Sequence, residues 1–130
     1  MNISRISSLK FIAVIVLLLS LELISSAQTD TSSKLVFKIN IKESIMPAAW
    51  RQVKVGFEEA NRQNADIILI HMNTYGGMVD MADSIRTKIL NSKIPVWVFI
   101  DNQAASAGAL ISIACDSIYM RKGGSIGAAT

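Results

Sequence analysis

Ser106 is the single polar side chain in a run of small residues, Ala104-Ala105-Ser106-Ala107-Gly108-Ala109, at the junction between a β-prone segment and a helical one. Small neighbours allow a sharp strand-to-helix turn with an accessible hydroxyl, as in a nucleophile elbow, and would set the Ala107 N–H beside the attacking oxygen. Serine is also a preferred N-cap, its oxygen accepting a backbone N–H of the first turn, and taken alone the loop suits that role better. A second loop, Asn73-Thr74-Tyr75-Gly76-Gly77, likewise follows an apolar run and opens a helix. Paired glycines let the chain approach a substrate closely and leave N–H groups free to hold the oxyanion that develops in acyl transfer. They equally suit a plain tight turn with no ligand.

A serine nucleophile needs a base. His71 lies inside an apolar run and reads as a core residue, Asp101 as a turn residue closing its strand, and Lys122 as a solvated residue in a Gly-rich turn. A lysine serves when burial keeps its amine neutral. None of Lys34, Lys38, Lys42, Lys54, Lys88, Lys93 and Lys122 falls on a segment that places it beside Ser106, so the base is either missing or beyond Thr130. Neither a G-x-G-x-x-G nor a G-K-[ST] motif occurs, which removes the usual dinucleotide and P-loop signals.

The elements that must carry these loops follow from periodicity. KLVFKINI at 34–41 predicts a strand, and Pro47 opens a helix to about Asn64 with Trp50, Val53, Phe57 and Ala60 on one face. DIILIHM at 66–72 is near-continuously apolar, as in a strand covered on both faces. Val79, Ala82, Ile85 and Ile89 mark a second helix. VWVFI at 96–100 predicts a strand, Asp101 to Ala105 a turn, 106–114 a small-residue helix, and SIYM at 117–120 a short strand. Strict alternation of strand and helix predicts an α/β fold, a mostly parallel sheet of repeated β-α units with helices packed on its faces.

The chain has 130 residues, 51% of them hydrophobic and 18% charged, which suits one globular domain. Thirteen basic residues against ten acidic ones leave a net charge of +3, but they form no run and interleave with no aromatics, so nothing supports nucleic-acid binding. One cysteine, Cys115, excludes an internal disulfide and reads as a buried small hydrophobe. Arg5 and Lys10, the apolar 11–21 and Ser25-Ser26-Ala27 follow the order of a secretory signal peptide, 1–27, with a polar linker at 28–33 and the domain at 34–130. The alternative for the first segment is an uncleaved membrane anchor. The SIGAAT ending at 125–130, without charge or cap, suggests a domain incomplete at its C-terminus.

In order, Asn73-Thr74-Tyr75-Gly76-Gly77, Ala82-Asp83-Ser84-Ile85-Arg86, Val98-Phe99-Ile100-Asp101, Ala104 to Ala109, Ala114-Cys115-Asp116 and Gly124-Ser125-Ile126-Gly127-Ala128 resemble the N-terminal domain of NfeD-type membrane-bound serine proteases. That family belongs to the ClpP/crotonase superfamily and is related to signal peptide peptidase A; the resemblance covers about Leu35 to Thr130. It implies that Ser106 is the nucleophile of a Ser–Lys dyad, that Gly77 and Ala107 N–H groups form the oxyanion hole, and that the dyad lysine lies beyond Thr130. Tyr75 stands where many relatives carry proline, in a loop where Tyr75 and Gly76 would face substrate. The resemblance further implies an exported, membrane-associated homo-oligomer with this domain on the extracytoplasmic side. It needs no cofactor or metal, cleaves peptide or membrane-protein substrates in hydrophobic segments, and is associated with stomatin-like proteins. Two other readings stay open: a catalytically silent ClpP-like interaction module, and a crotonase-type acyl-CoA enzyme, which an exported location disfavours.

Overall fold

The computed structural model describes residues 33–128; the expected signal peptide at 1–27 and all but the last residue of the linker at 28–33 lie outside them. Strands β1 (Val36–Ile41), β2 (Ile67–Thr74), β3 (Val96–Ala105) and β4 (Ser117–Met120) lie side by side in that order, and every pairing is parallel. Two carboxylates fasten strand starts: Asp66 accepts the Leu35 N–H at 2.7 Å, and Asp116 accepts the Val96 N–H at 2.7 Å.

Three helices make the crossovers. Helix α1 (Pro47–Arg62) starts with proline at its first turn, where no N–H is needed, and is followed, past its C-cap Gln63, by Asn64 in the left-handed region with φ 53°. Helix α2 (Val79–Leu90) has Asp80 in its first turn and Lys88 in its last, each complementing the helix dipole. Helix α3 (Ala107–Ser112) is a short turn-and-a-half after β3. Val53, Phe57 and Ala60 of α1, Ala82, Ile85 and Ile89 of α2, and Ala107 and Ile111 of α3 share one core. From the sheet, that core takes Ile39, Ile41, Ile68, Ile70, Met72, Val96, Val98, Ile100 and Ala104.

Those sheet residues are alternate positions on one face. Their neighbours Ile67, Leu69, His71, Trp97 and Phe99 are only half-buried, so β2 is not covered on both faces as its apolar run suggested. The reason is topological. Successive right-handed crossovers that always step in the same direction along a sheet lay all their helices on the same side. The open face carries tilted aromatic pairs instead, Trp97 with Tyr119 at 5.5 Å and His71 with Phe99 at 5.6 Å between ring centroids.

β3 also departs from expectation. It runs on through the predicted turn to Ala105, and its second half pairs with β5 (Ser125–Gly127), a strand inside the SIGAAT segment. Between Met72↔Ile100 and Thr74↔Ala104 the register slips, since two residues of β2 span four of β3. Such an irregularity re-aims side chains at a strand end.

Candidate active site

Ser106 sits where β3 hands over to α3, at φ 51° and ψ −116°, and its hydroxyl makes no capping hydrogen bond. An N-cap takes extended backbone, and its side-chain oxygen accepts a backbone N–H of the first turn; Ser106 does neither. Its backbone is pinned on both sides. The Ser106 N–H donates to the Gly127 carbonyl at 2.8 Å, and its own carbonyl accepts the Ala109 N–H at 2.9 Å and the Leu110 N–H at 3.2 Å. As the first residue of α3, Ala107 has no acceptor for its N–H within the helix.

The glycine loop reaches this turn directly. A Cβ added at Gly76 would lie 2.8 Å from Ser106 Cβ and 3.3 Å from its Oγ, so only glycine allows the approach. Gly76 also has φ 114°, outside the ordinary range of other residues. Gly77 presses instead on the β1–α1 connection, where a side chain would collide with the Ile45 backbone. Ile45 donates its N–H to the Gly76 carbonyl at 2.9 Å and accepts the Met78 N–H at 2.8 Å, a parallel bridge to Gly77. In such a bridge the N–H of the middle residue faces away from the partner. The Gly77 N–H accordingly has no acceptor among the described residues, and Gly77 is exposed. The glycine pair is therefore more than a plain tight turn.

Several large apolar side chains are exposed around the two loops. Tyr75 is 83% exposed, Val79 74% and Met78 40%, with Met46 beside Ile45 at 45%. A cavity of about 230 Å³ opens between the end of β3 and β5, lined by Ala104, Ala105, Ser125, Ile126, Gly127 and Ala128. A larger one, about 400 Å³, lies beside the β1–α1 connection, and neither Ser106 nor the glycines line it.

The titratable residues fall elsewhere. His71 is on the open sheet face rather than in the core, its Nε2 3.4 Å from an Asp101 carboxylate oxygen. Asp101 lies inside β3 rather than closing it, and its other oxygen is 2.9 Å from Arg121 without hydrogen-bond alignment. The adjacency of strand ends brings these three together. Cys115 is mostly buried, and burial, aided by the neighbouring Asp116 charge, pushes its thiol up to about 12. Sequence reasoning passed over Thr74, which is 2% exposed and hydrogen-bonded to both flanking loops; its burial is set by tertiary packing and left no mark in the residue types.

A parallel sheet with a glycine loop and a serine turn at its carboxyl edge places the chain in the ClpP-like fold class. ClpP1 from Listeria monocytogenes superposes with a TM-score of 0.58 at 28% identity, over 60% of this chain and 46% of that one. Within that class, residues 35–130 match the NfeD1b N-terminal domain, and the chain belongs to this family. Membrane protein NfeD1b of Bacillus subtilis (strain 168) is 33% identical over 112 residues, 86% of this chain and 25% of that protein. Membrane-bound protease PH1510 of Pyrococcus horikoshii is 34% identical over 116 residues, 87% of this chain and 26% of that one. The solved 1510-N membrane protease of the same organism, specific for a stomatin homolog, gives a TM-score of 0.69 over 75% of this chain and 50% of that one. The chain thus spans about a quarter of the length of the two relatives. It carries a ClpP-like domain of the protease type.

Proposed function

We propose that the full-length protein is a membrane-associated serine endopeptidase and that residues 34–130 form the nucleophile-bearing part of its protease domain. The observation that carries this reading is the packing of Gly76 against Ser106, with the Gly77 N–H unpaired and the Ala107 N–H first in its helix, where no intrahelical acceptor exists. Ser106 Oγ attacks a peptide carbonyl while its proton passes to a lysine outside residues 1–130, the second member of the dyad. The Gly77 and Ala107 N–H groups hold the resulting oxyanion, a contribution worth about 100- to 1,000-fold in rate per donor. Collapse of the tetrahedral adduct expels the amine, which takes up the lysine's proton, and water then hydrolyses the acyl-serine.

Tyr75 and Gly76 line the substrate's path, and the exposed Tyr75, Met78 and Val79 favour an apolar segment over a charged one. That chemistry agrees with a relative described as specific for a stomatin homolog and solved, as a variant, with a substrate peptide. A stomatin-like membrane protein is accordingly the proposed substrate or partner, cut by a homo-oligomer. Export through the signal peptide at 1–27 would put the domain on the extracytoplasmic side. Both curated relatives are named membrane proteins, and no helix of the described residues is long and apolar enough to cross a bilayer.

The deciding comparison is cleavage of an apolar peptide by the full-length protein before and after Ser106→Ala. Cleavage and fluorophosphonate labelling are both expected to disappear. Undiminished cleavage overturns the assignment, and an absence of labelling in the unaltered protein favours the silent interaction module.

A further inference from the structure

We infer that Thr74 is a positioning residue that sets the glycine loop against Ser106, an inference that rests on the protease reading of that site. Its side chain is almost fully buried, with 2% of the residue exposed, at the end of β2 just past the register slip. Each of its side-chain branches touches a different piece of the site. The hydroxyl donates to the Glu43 carbonyl at 2.7 Å in the β1–α1 connection. The same oxygen accepts the Gly76 N–H at 3.1 Å, closing a tight turn onto the first glycine. The methyl faces the start of α3, where a Cβ added at Gly108 would come within 2.5 Å of it.

Three segments distant in sequence therefore meet on one side chain: 43–45, which braces Gly77 through Ile45; 76–77, which approaches Ser106; and the first turn after Ser106. One hydroxyl proton serves one acceptor, and the Glu43 carbonyl takes it, since the Gly76 carbonyl is 3.4 Å away. The oxygen's lone pair is then free for the Gly76 N–H. Thr74 thus fixes the height of the glycine loop by hydrogen bonding, while its methyl only packs against the first turn of α3. A shift of about 1 Å between a nucleophile and its oxyanion donors costs about 100-fold in rate.

Two substitutions separate these contributions. Thr74→Val keeps the shape and loses both hydrogen bonds, whereas Thr74→Ser keeps the hydrogen bonds and loses the methyl. In the full-length protein, Thr74→Val is expected to lower kcat for an apolar peptide about 100-fold, with KM changed by less than about threefold. Thr74→Ser is expected to stay within about threefold of the parent in both constants. Amide hydrogen exchange supplies a readout that needs no activity. In the unaltered protein the Gly76 amide should exchange at least about fivefold more slowly than that of Gly77. Thr74→Val should abolish that difference and Thr74→Ser should preserve it. Unchanged kcat in Thr74→Val, or an equal loss in Thr74→Ser, overturns the inference, as does Gly76 exchanging as fast as Gly77 in the unaltered protein. If Thr74→Val does not fold, Thr74→Ser and the exchange of the unaltered protein decide. If Ser106→Ala shows that Ser106 cleaves nothing, the exchange pattern still tests the hydrogen bonds, while the protease reading fails on its own.

Discussion

At Ser106 the chain holds a non-glycine residue at φ 51° and ψ −116°, a strained conformation costing on the order of 1–3 kcal/mol. Glycine relieves that strain but enlarges the unfolded ensemble, so Ser106→Gly is expected to stabilise the fold by about 1 kcal/mol. Ser106→Ala, which keeps the Cβ, should leave stability nearly unaltered, and thermal melts of the two variants read the difference. The reverse holds at Gly77, where an added methyl meets the Ile45 backbone. Gly77→Ala is expected to lose more than about 2 kcal/mol, measured by urea unfolding. Cys115 behaves differently again. With its thiol pushed up to about 12, it stays protonated through pH 9, so iodoacetamide should modify it far more slowly than a free thiol until the protein is unfolded. Ser106's backbone strain and the Thr74 hydrogen bonds were not legible in residue types, because both arise from tertiary packing. Serine in a small-residue run suits a cap better than an elbow, and only the dihedral angles and the missing cap bond argue otherwise.

Among the elements, α1 and α2 bury their apolar stripes where the spacing placed them, with Phe57 at 1% exposure in the centre of the α1 face. Phe57→Ala is expected to cost about 3–5 kcal/mol. Arg62→Ala, which removes an exposed ion pair to Glu59 on the same helix, should leave the unfolding midpoint where it was. Helix faces and the first four strands could be read in advance because burial imposes a period on residue type. The second half of β3 could not: Asp101, Asn102 and Gln103 break the apolar run, since they line a strand end instead of the core. The side on which the helices lie was equally hidden, because it depends on crossover direction and not on any residue pattern. Apolar residues on β2's open face, such as Ile67 and Leu69, made that strand look doubly covered.

Over the whole molecule, the family and its fold emerged from an ordered set of short segments, each weak by itself. Their order in the chain is the order of the strand ends that bring the glycine loop and the serine turn together. What escaped the reading was β5, three residues with no period long enough to register. Yet β5 supplies the Gly127 carbonyl that takes the Ser106 N–H at 2.8 Å. Deleting Ser125–Gly127 from the full-length protein should abolish Ser106-dependent cleavage while the amides of β1 to β3's first half keep their protection, as hydrogen exchange would report. This pairing also imposes a schedule on synthesis. Ser106 leaves the ribosome 21 residues ahead of Gly127, which fastens it, so its turn stays slack on the nascent chain until Gly127 has emerged and docked.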